Sequence, residues 1–261
     1  MKQKILSFAK VLRRRTGQSY EDVNRITKEV VDITQSVLNQ AQTVVDILQK
    51  SKRNCVEAQK HALQQAIDKT SRLLEQAKQV VGGNRIIKDR MISIHDPEAR
   101  PIKKGKLAKP TEFGYKVRID ETESGFVTGY QVYTGNPSDE ELLLPAVEQH
   151  VKTFGSAPHA VATDRGFGSR RNETTLKNKF QVNHVSTPFR GKKSKKRTEL
   201  EKELWYKDLQ RFRAAGEAKI GLLKRKYGLS RGRFRGYSGT SAWVGFGILA
   251  HNLRKAALIM K

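Results

Sequence analysis

HAVATDRGFGSRRNETTLKNKFQVNHVS, residues 159–186, is the stretch on which the reading of this chain turns. It opens on a short apolar run, HAVAT, that gives out at Asp164 and a turn containing Gly166. A short helix near 171–178 and a second strand near 182–186 follow, so the stretch reads as strand, helix, strand, an α/β unit. In open α/β sheets, functional groups collect in the crevice beyond the carboxyl ends of the strands. Asp164 stands at such an end. The plainer alternative is that it caps the next helix or bends the turn.

Upstream, two alternating segments at 115–119 and 126–133, joined by DETESG, predict an antiparallel hairpin. Ser138 and Glu141 form a capping box for a helix reaching about Thr153. The basic sequence RPIKKGKLAKP before the hairpin reads as an irregular surface arm. Earlier still, residues 19–81 read as helix. Ser19 and Asp22 start it, and SKRN at 51–54 permits a break. Val23, Ile26, Val30, Ile33, Val37, Val44 and Leu48 form one stripe, with Ala41 filling its one gap. Cys55, Ala58, Ala62, Ala66, Leu73, Ala77 and Val80 form another. The simplest picture is a long antiparallel helical hairpin, closed by Gly82 and Gly83, in which the stripes pack on each other. The alternative is a coiled coil that binds a partner. Downstream, the pattern predicts a long helix over 199–227, a basic loop over 228–239 and a final helix over 240–259.

Composition limits the partners. Among 261 residues, Lys and Arg number 51 against 26 acids, a net charge of +25. An excess of that size favours a polyanion, because each neutralised phosphate releases counterions. It names a partner class and no reaction. No run approaches the roughly 20 apolar residues of a membrane span, and MKQKILSFAKVLRRR lacks the features of a secretory signal. The single cysteine, Cys55, supports neither an internal disulfide nor a Cys-based zinc site. The six His show no paired metal-binding spacing, and Ser169 and Ser230 have no recognisable His/Asp partnership. A cytoplasmic, nucleoid-associated location is the expectation.

Within the long helix, FRAAGEAKIGLLKRK aligns Arg213, Glu217 and Lys224 on one face by their spacing. Taken alone this is an ordinary salt-bridge face. Gly216 argues for close approach of something, since glycine inside a helix costs about 1 kcal/mol. Taken together, strand–Asp-x-Gly-Phe, a basic linker, and a helix bearing Arg-x-x-x-Glu with a later Lys resemble the DDE transposases of insertion sequences. In that family the third acid lies in Tyr-x-x-Arg-x-x-x-Glu-x-x-x-x-x-x-Lys. Arg213, Glu217 and Lys224 match, and Gln210 stands at the Tyr position. DPEARPIKKGKLAKPTEFGYK, GNPSD and the ending GLSRGRFRGYSGTSAWVGFGILAHNLRK add to the likeness, which covers about residues 90–261.

The resemblance implies an α/β fold: a ribonuclease H-like mixed sheet with flanking helices, preceded by the helical hairpin. Residues 1–88 would be the hairpin region and 89–261 the catalytic domain. It further implies Mg²⁺ or Mn²⁺, two ions in an intact member, with Asp164 and Glu217 as ligands. Two such ions, roughly 3.5–4 Å apart, stabilise the attacking and leaving oxygens of an in-line displacement at phosphorus. DNA, both transposon ends and target, is the implied partner, and a homo-oligomer on DNA is possible within the family. Residues 187–236 hold 17 basic and 5 acidic residues. Arg213 and Lys224 would lie nearest the reacting strand, with Arg165, Lys192, Lys193, Arg231, Arg233 and Arg235 on the phosphates.

In the family a strand bearing the first catalytic Asp precedes the β-hairpin. Residues 1–18 contain no acid, so the expectation is a chain that begins after that Asp, with impaired activity. Asp96, just past RMISI, is the competing first acid, and Asp120 at the hairpin turn is a weaker one. Two other readings stand beside the enzyme: a non-catalytic DNA-binding transposase remnant and a basic RNA-binding protein.

Overall fold

Parallel pairing of two three-residue strands organises the 159–186 stretch in the structure, a computed structural model that describes residues 17–50, 54–84, 86–103, 111–188 and 191–260. The basic N-terminal stretch, the side chains of Ser19 and Cys55, and KGKLAKP of the arm lie outside what is described. Contacts divide the chain into two compact units, Met1–Pro97 and Glu98–Lys261.

In the first unit, α1 (Gly17–Leu48) and α2 (Asn54–Val81) pack side by side. The stripes that meet are only partly those expected: Ala41 and Ala77 are shared, but the bulky residues between them are not. Val31, Leu38 and Val45, with Ala41, bury against Leu63, Ile67, Leu74 and Ala77. The expected Val37 and Val44 stay about half exposed, at 51% and 46%. The reason is visible in the sequence. Apolar residues on α1 come in doublets seven apart: Val30–Val31, Val37–Leu38 and Val44–Val45. The α2 residues show the same doubling in Ala62–Leu63, Ala66–Ile67 and Leu73–Leu74. Each doublet offers two adjacent helix faces, and a two-helix contact covers one. On α2 at positions 62–67 the bulkier partner goes inside, where it removes more apolar area from water. The helix ends at Gly82 and at Gly83, whose φ of +94° suits glycine, with the Asn84 amide bonded to the Gln79 carbonyl at 2.9 Å.

The second unit begins with β1 (Arg100–Lys103), paired antiparallel with β2 (Thr111–Gly114). Part of the expected irregular arm is therefore strand. Next come β3 (Lys116–Glu121) and β4 (Val127–Tyr133), the expected hairpin, with a register shift at Asp120/Glu121. Helix α3 (Asp139–Phe154) starts at Ser138, whose hydroxyl accepts from the Glu141 amide, and stops at Gly155 in the left-handed conformation. Strand β5 (Ala160–Ala162) leads through a 3₁₀ turn (Arg165–Phe167) to α4 (Arg170–Asn178) and β6 (His184–Ser186), which lies parallel to β5. Among the described residues the strands form three separate pairs, two antiparallel and one parallel.

The predicted helix over 199–227 is two helices, α5 (Lys195–Leu200) and α6 (Leu204–Lys226). The break follows from Arg197. Its guanidinium donates to Glu173 at 2.6 Å and Glu201 at 3.1 Å, and to the Thr187 carbonyl. That network turns the chain at 201–203 to reach its partners. Helix α7 (Gly236–Ile259) completes the unit. One core joins β4, α6 and α7 through Val127, Val132, Leu223, Val244 and Ile248. A second joins α3, α4 and β6 through Leu143, Val147, Leu176 and Val185, with Val182. No helix among the described residues is long and apolar enough to cross a membrane.

Candidate functional site

Asp164 sits two residues beyond β5, with extended backbone angles (φ −66°, ψ 158°) and no side-chain capping bond. The capping alternative therefore fails: Ser169 caps α4 instead, accepting from the Asn172 amide at 3.1 Å. The strand end beneath Asp164 is tied down. The Thr163 amide donates to the Ser186 carbonyl at 3.1 Å, and the Thr163 hydroxyl meets that of Thr187 at 3.2 Å. A β-carbon at Gly166 would meet the Asp139 side chain and push it aside. Asp139 in turn pairs with Lys116 at 2.5 Å.

The second carboxylate comes from α6. Nη1 of Arg213 donates to Asp164 Oδ1 and also lies 3.5 Å from Glu217 Oε1. Two acids 53 positions apart in the chain thus share one guanidinium nitrogen. Both carboxylates face solvent, at 59% and 76% exposed, while Arg213 is more enclosed at 28%. The Nε of Arg213 is buried and has no hydrogen-bond partner among the described residues.

What holds α6 in place was not read from the sequence. The Gln210 side-chain amide donates to the Ser186 carbonyl at 2.8 Å and to its hydroxyl oxygen at 3.0 Å. The Ser186 hydroxyl donates to the Tyr206 carbonyl at 3.1 Å. The residue at the family's Tyr position is therefore an inward anchor in this chain. Further along, Leu223 is fully buried in the core with Val127 and Val244. A serine at the end of an apolar strand was the available signal, since a fully buried hydroxyl requires partners. Gly216, by contrast, is not a point of close approach. A β-carbon there would find only Glu121 Oε2, at 3.9 Å.

Of the basic residues named for phosphate contact, Arg165, Lys192, Lys224, Arg231, Arg233 and Arg235 are exposed. Lys193 is engaged with Glu201 at 2.5 Å. Other basic groups of this region are also paired: Arg211 with Asp208 at 2.7 Å and Lys219 with Glu121 at 3.4 Å. The loop carrying Arg231, Arg233 and Arg235 follows Gly228, whose carbonyl accepts from the Trp243 indole at 2.8 Å. Phe234 packs edge-on against Trp243, ring centres 5.4 Å apart.

The other acid candidates stand elsewhere. Asp96 belongs to the first unit, where its amide donates to Ser93 Oγ at 3.2 Å. Asp120 lies against Arg118, which donates to both its oxygens at 3.0 and 3.2 Å. Burial raises the Asp120 carboxyl above its ordinary range in spite of that guanidinium. Its other side leaves no room for a β-carbon at Gly129, which would sit 2.6 Å from Oδ2.

Asp164 and Glu217 supply two hard oxygen donors, the chemistry that suits a hydrated divalent cation needing few protein groups. Among the described residues, no group of three or more His, Cys, Asp or Glu side chains converges to hold an ion. A family model described as transposase DDE domain matches residues 63–253. No curated protein and no solved structure matches the chain.

Proposed function

The chain belongs to the transposase DDE domain family, and on that premise we propose that it binds transposon-end DNA and carries the metal-dependent chemistry of cleavage and strand transfer at Asp164 and Glu217. The observation that carries this reading is the convergence of the two carboxylates on Arg213 Nη1. A divalent cation bound there would draw charge from the phosphodiester oxygens that attack and leave. The protein's own part is positional. Gln210 and Leu223 fix α6, the helix from which Arg213 and Glu217 project toward the Asp164 end of β5. Arg213, released from the two acids by the cation, would take a phosphate oxygen, and Lys224 and the Arg231–Arg233–Arg235 loop would carry the backbone on either side.

In this reading β3–β4 and β5–β6 belong to one ribonuclease H-like sheet. Its support is that α6 serves both pairs: Leu223 packs with β4, and Gln210 bonds β6. The two N-terminal helices form an antiparallel hairpin over about 1–88, ahead of a catalytic domain over about 89–261. Lys78 near the end of α2 bonds Gln35 of α1 at 3.3 Å, and only residues 49–53 separate the two helices, which suits opposed chain directions. The active species would be a homo-oligomer on DNA in the cytoplasm.

The test is strand cleavage of a transposon-end oligonucleotide in Mg²⁺ or Mn²⁺. Cleavage that disappears in Asp164→Asn and in Glu217→Gln supports the enzyme. Salt-dependent DNA binding with no cleavage indicates the non-catalytic remnant. Preference for structured RNA over duplex DNA would overturn both.

A further inference from the structure

The unused halves of the apolar doublets leave a seam on α1. Val30, Ile33, Val37, Gln40, Val44 and Ile47 follow heptad spacing, with β-branched residues everywhere except Gln40. Val37, Val44 and Ile47 are 51%, 46% and 63% exposed, more than isolated surface residues would explain. This face lies roughly a quarter-turn around α1 from the one that meets α2. On α2, the exposed Ala58, Ala62 and Ala66 lie a similar quarter-turn from Leu63, Ile67 and Leu74. In oppositely directed helices, equal rotations of the same sense turn both faces to one flank. The flank is small-sided on α2 and branched on α1, as close helix–helix packing needs.

We propose that this flank is the docking surface for a second copy of the chain, hairpin against hairpin, with Gln40 meeting its twin. Charge selects the occupant. The two helices contain 8 acids and 6 basic residues, so they carry none of the chain's +25 excess. Such a surface does not attract a nucleic acid, and it lacks the Lys/Arg-rich polar face of helices that lie on membranes. The positions bordering the seam (Thr27, Thr34, Ser36, Ala41, Thr43) are uncharged, with Glu29 the exception. On α2 the flank carries Glu57 and Lys69, one charge of each sign, so identical copies meet without net repulsion, and a strongly charged foreign helix finds little to pair with.

Gln40 decides the register. Its amide would be desolvated against a valine at a cost, whereas a second Gln40 offers a donor and an acceptor in return. Eighteen residues of seam span roughly 27 Å, and two helices of about 10 Å diameter make the flank about 20 Å wide. About 500 Å² per copy, about 1,000 Å² in total, stands at the lower limit for a specific interface, so association should be weak.

The proposal rests only on the hairpin and oligomer parts of the reading above, and its test contains neither DNA nor metal. Sedimentation velocity of the full chain between about 1 and 100 µM, in salt high enough to screen surface charge, should show a monomer–dimer equilibrium in the micromolar class. The V37E/V44E double variant should weaken it roughly tenfold or more, with helical circular dichroism and the urea midpoint unchanged. Q40C in a C55S background should give a disulfide-linked dimer on mild oxidation, a readout that survives if the double variant folds poorly. A wild-type chain that stays monomeric throughout overturns the proposal. So does a dimer that V37E/V44E leaves intact and Q40C does not cross-link, which would shift the interface to another face such as the exposed Phe246, Leu249 and Leu253 of α7.

Discussion

The side-chain amide of Gln210 bridges the carbonyl and the hydroxyl of Ser186, at 2.8 and 3.0 Å, and so ties the helix bearing Glu217 to the strand beside Asp164. Ser186 is fully buried, so water cannot replace the bonds if they are lost. Gln210→Leu should cost about 1–2 kcal/mol, the range for polar groups left partly unsatisfied. Urea denaturation measures that loss. Cleavage activity, if present, should fall further than stability, because the two acids would no longer be held in register.

Arg197→Met should be the most damaging single change in the basic linker. Removing the guanidinium leaves Glu173 and Glu201, both largely enclosed, without their shared partner. A loss of about 3 kcal/mol is expected from breaking an enclosed ionic network on one side only. Limited proteolysis should then cut near 187–203 first, since Arg197 also holds the Thr187 carbonyl and Tyr206.

Acid should loosen the same linker. Burial alone would raise the Glu201 carboxyl, yet hydrogen bonds from Lys193 and Arg197 hold it below its ordinary value. A folded value below the unfolded one gives stability that is present above the ordinary carboxylate range and is lost as pH falls through the lower folded value. Asp120 works in the opposite sense. Burial raises it, against Arg118, so its ionised form carries a penalty that acid relieves. Glu201→Gln should therefore flatten the acid limb of a stability–pH curve, and Asp120→Asn should steepen it. Thermal melts across the carboxylate range would refute this if the two variants shift the limb alike.

Two helix glycines should respond with opposite signs. At Gly216 a β-carbon meets nothing nearer than 3.9 Å, so Gly216→Ala should stabilise by about 1 kcal/mol through helix propensity alone. At Gly247 a β-carbon would lie 2.8 Å from the Tyr227 carbonyl oxygen and run into the Leu229 side chain. Gly247→Ala should destabilise by about 1–3 kcal/mol, as overpacking does. Melting temperatures of the pair provide the check.

Which parts of this were legible in the sequence follows from the range of the interactions involved. Asp164 could be read because a short apolar run and a glycine turn are local signals. Arg213 and Glu217 could be read because helix spacing places them on one face. That Arg213 also reaches Asp164 depends on packing across 49 positions, which no local pattern encodes. The helix stripes were legible as apolar but not as contacts: Val37 and Leu38 carry the same periodicity, and only the geometry of the partner helix chooses between them. Gly216 misled because a helical glycine signals closeness only on average. The break at 201–203 was hidden because it arises from Arg197 reaching Glu173 on α4, a tertiary demand that overrides helix propensity.

The internal ion pairs of the basic segment change what its formal charge is worth. Leaving Arg213 aside, at least four of the seventeen Lys and Arg between 187 and 236 already face a carboxylate: Lys193, Arg197, Arg211 and Lys219. A cation already paired with a carboxylate is not free to neutralise a phosphate, and so releases no counterion from the duplex. The slope of log affinity against log salt, about −0.9 for each phosphate neutralised, should report the remainder and fall well short of the seventeen that a count along the chain suggests.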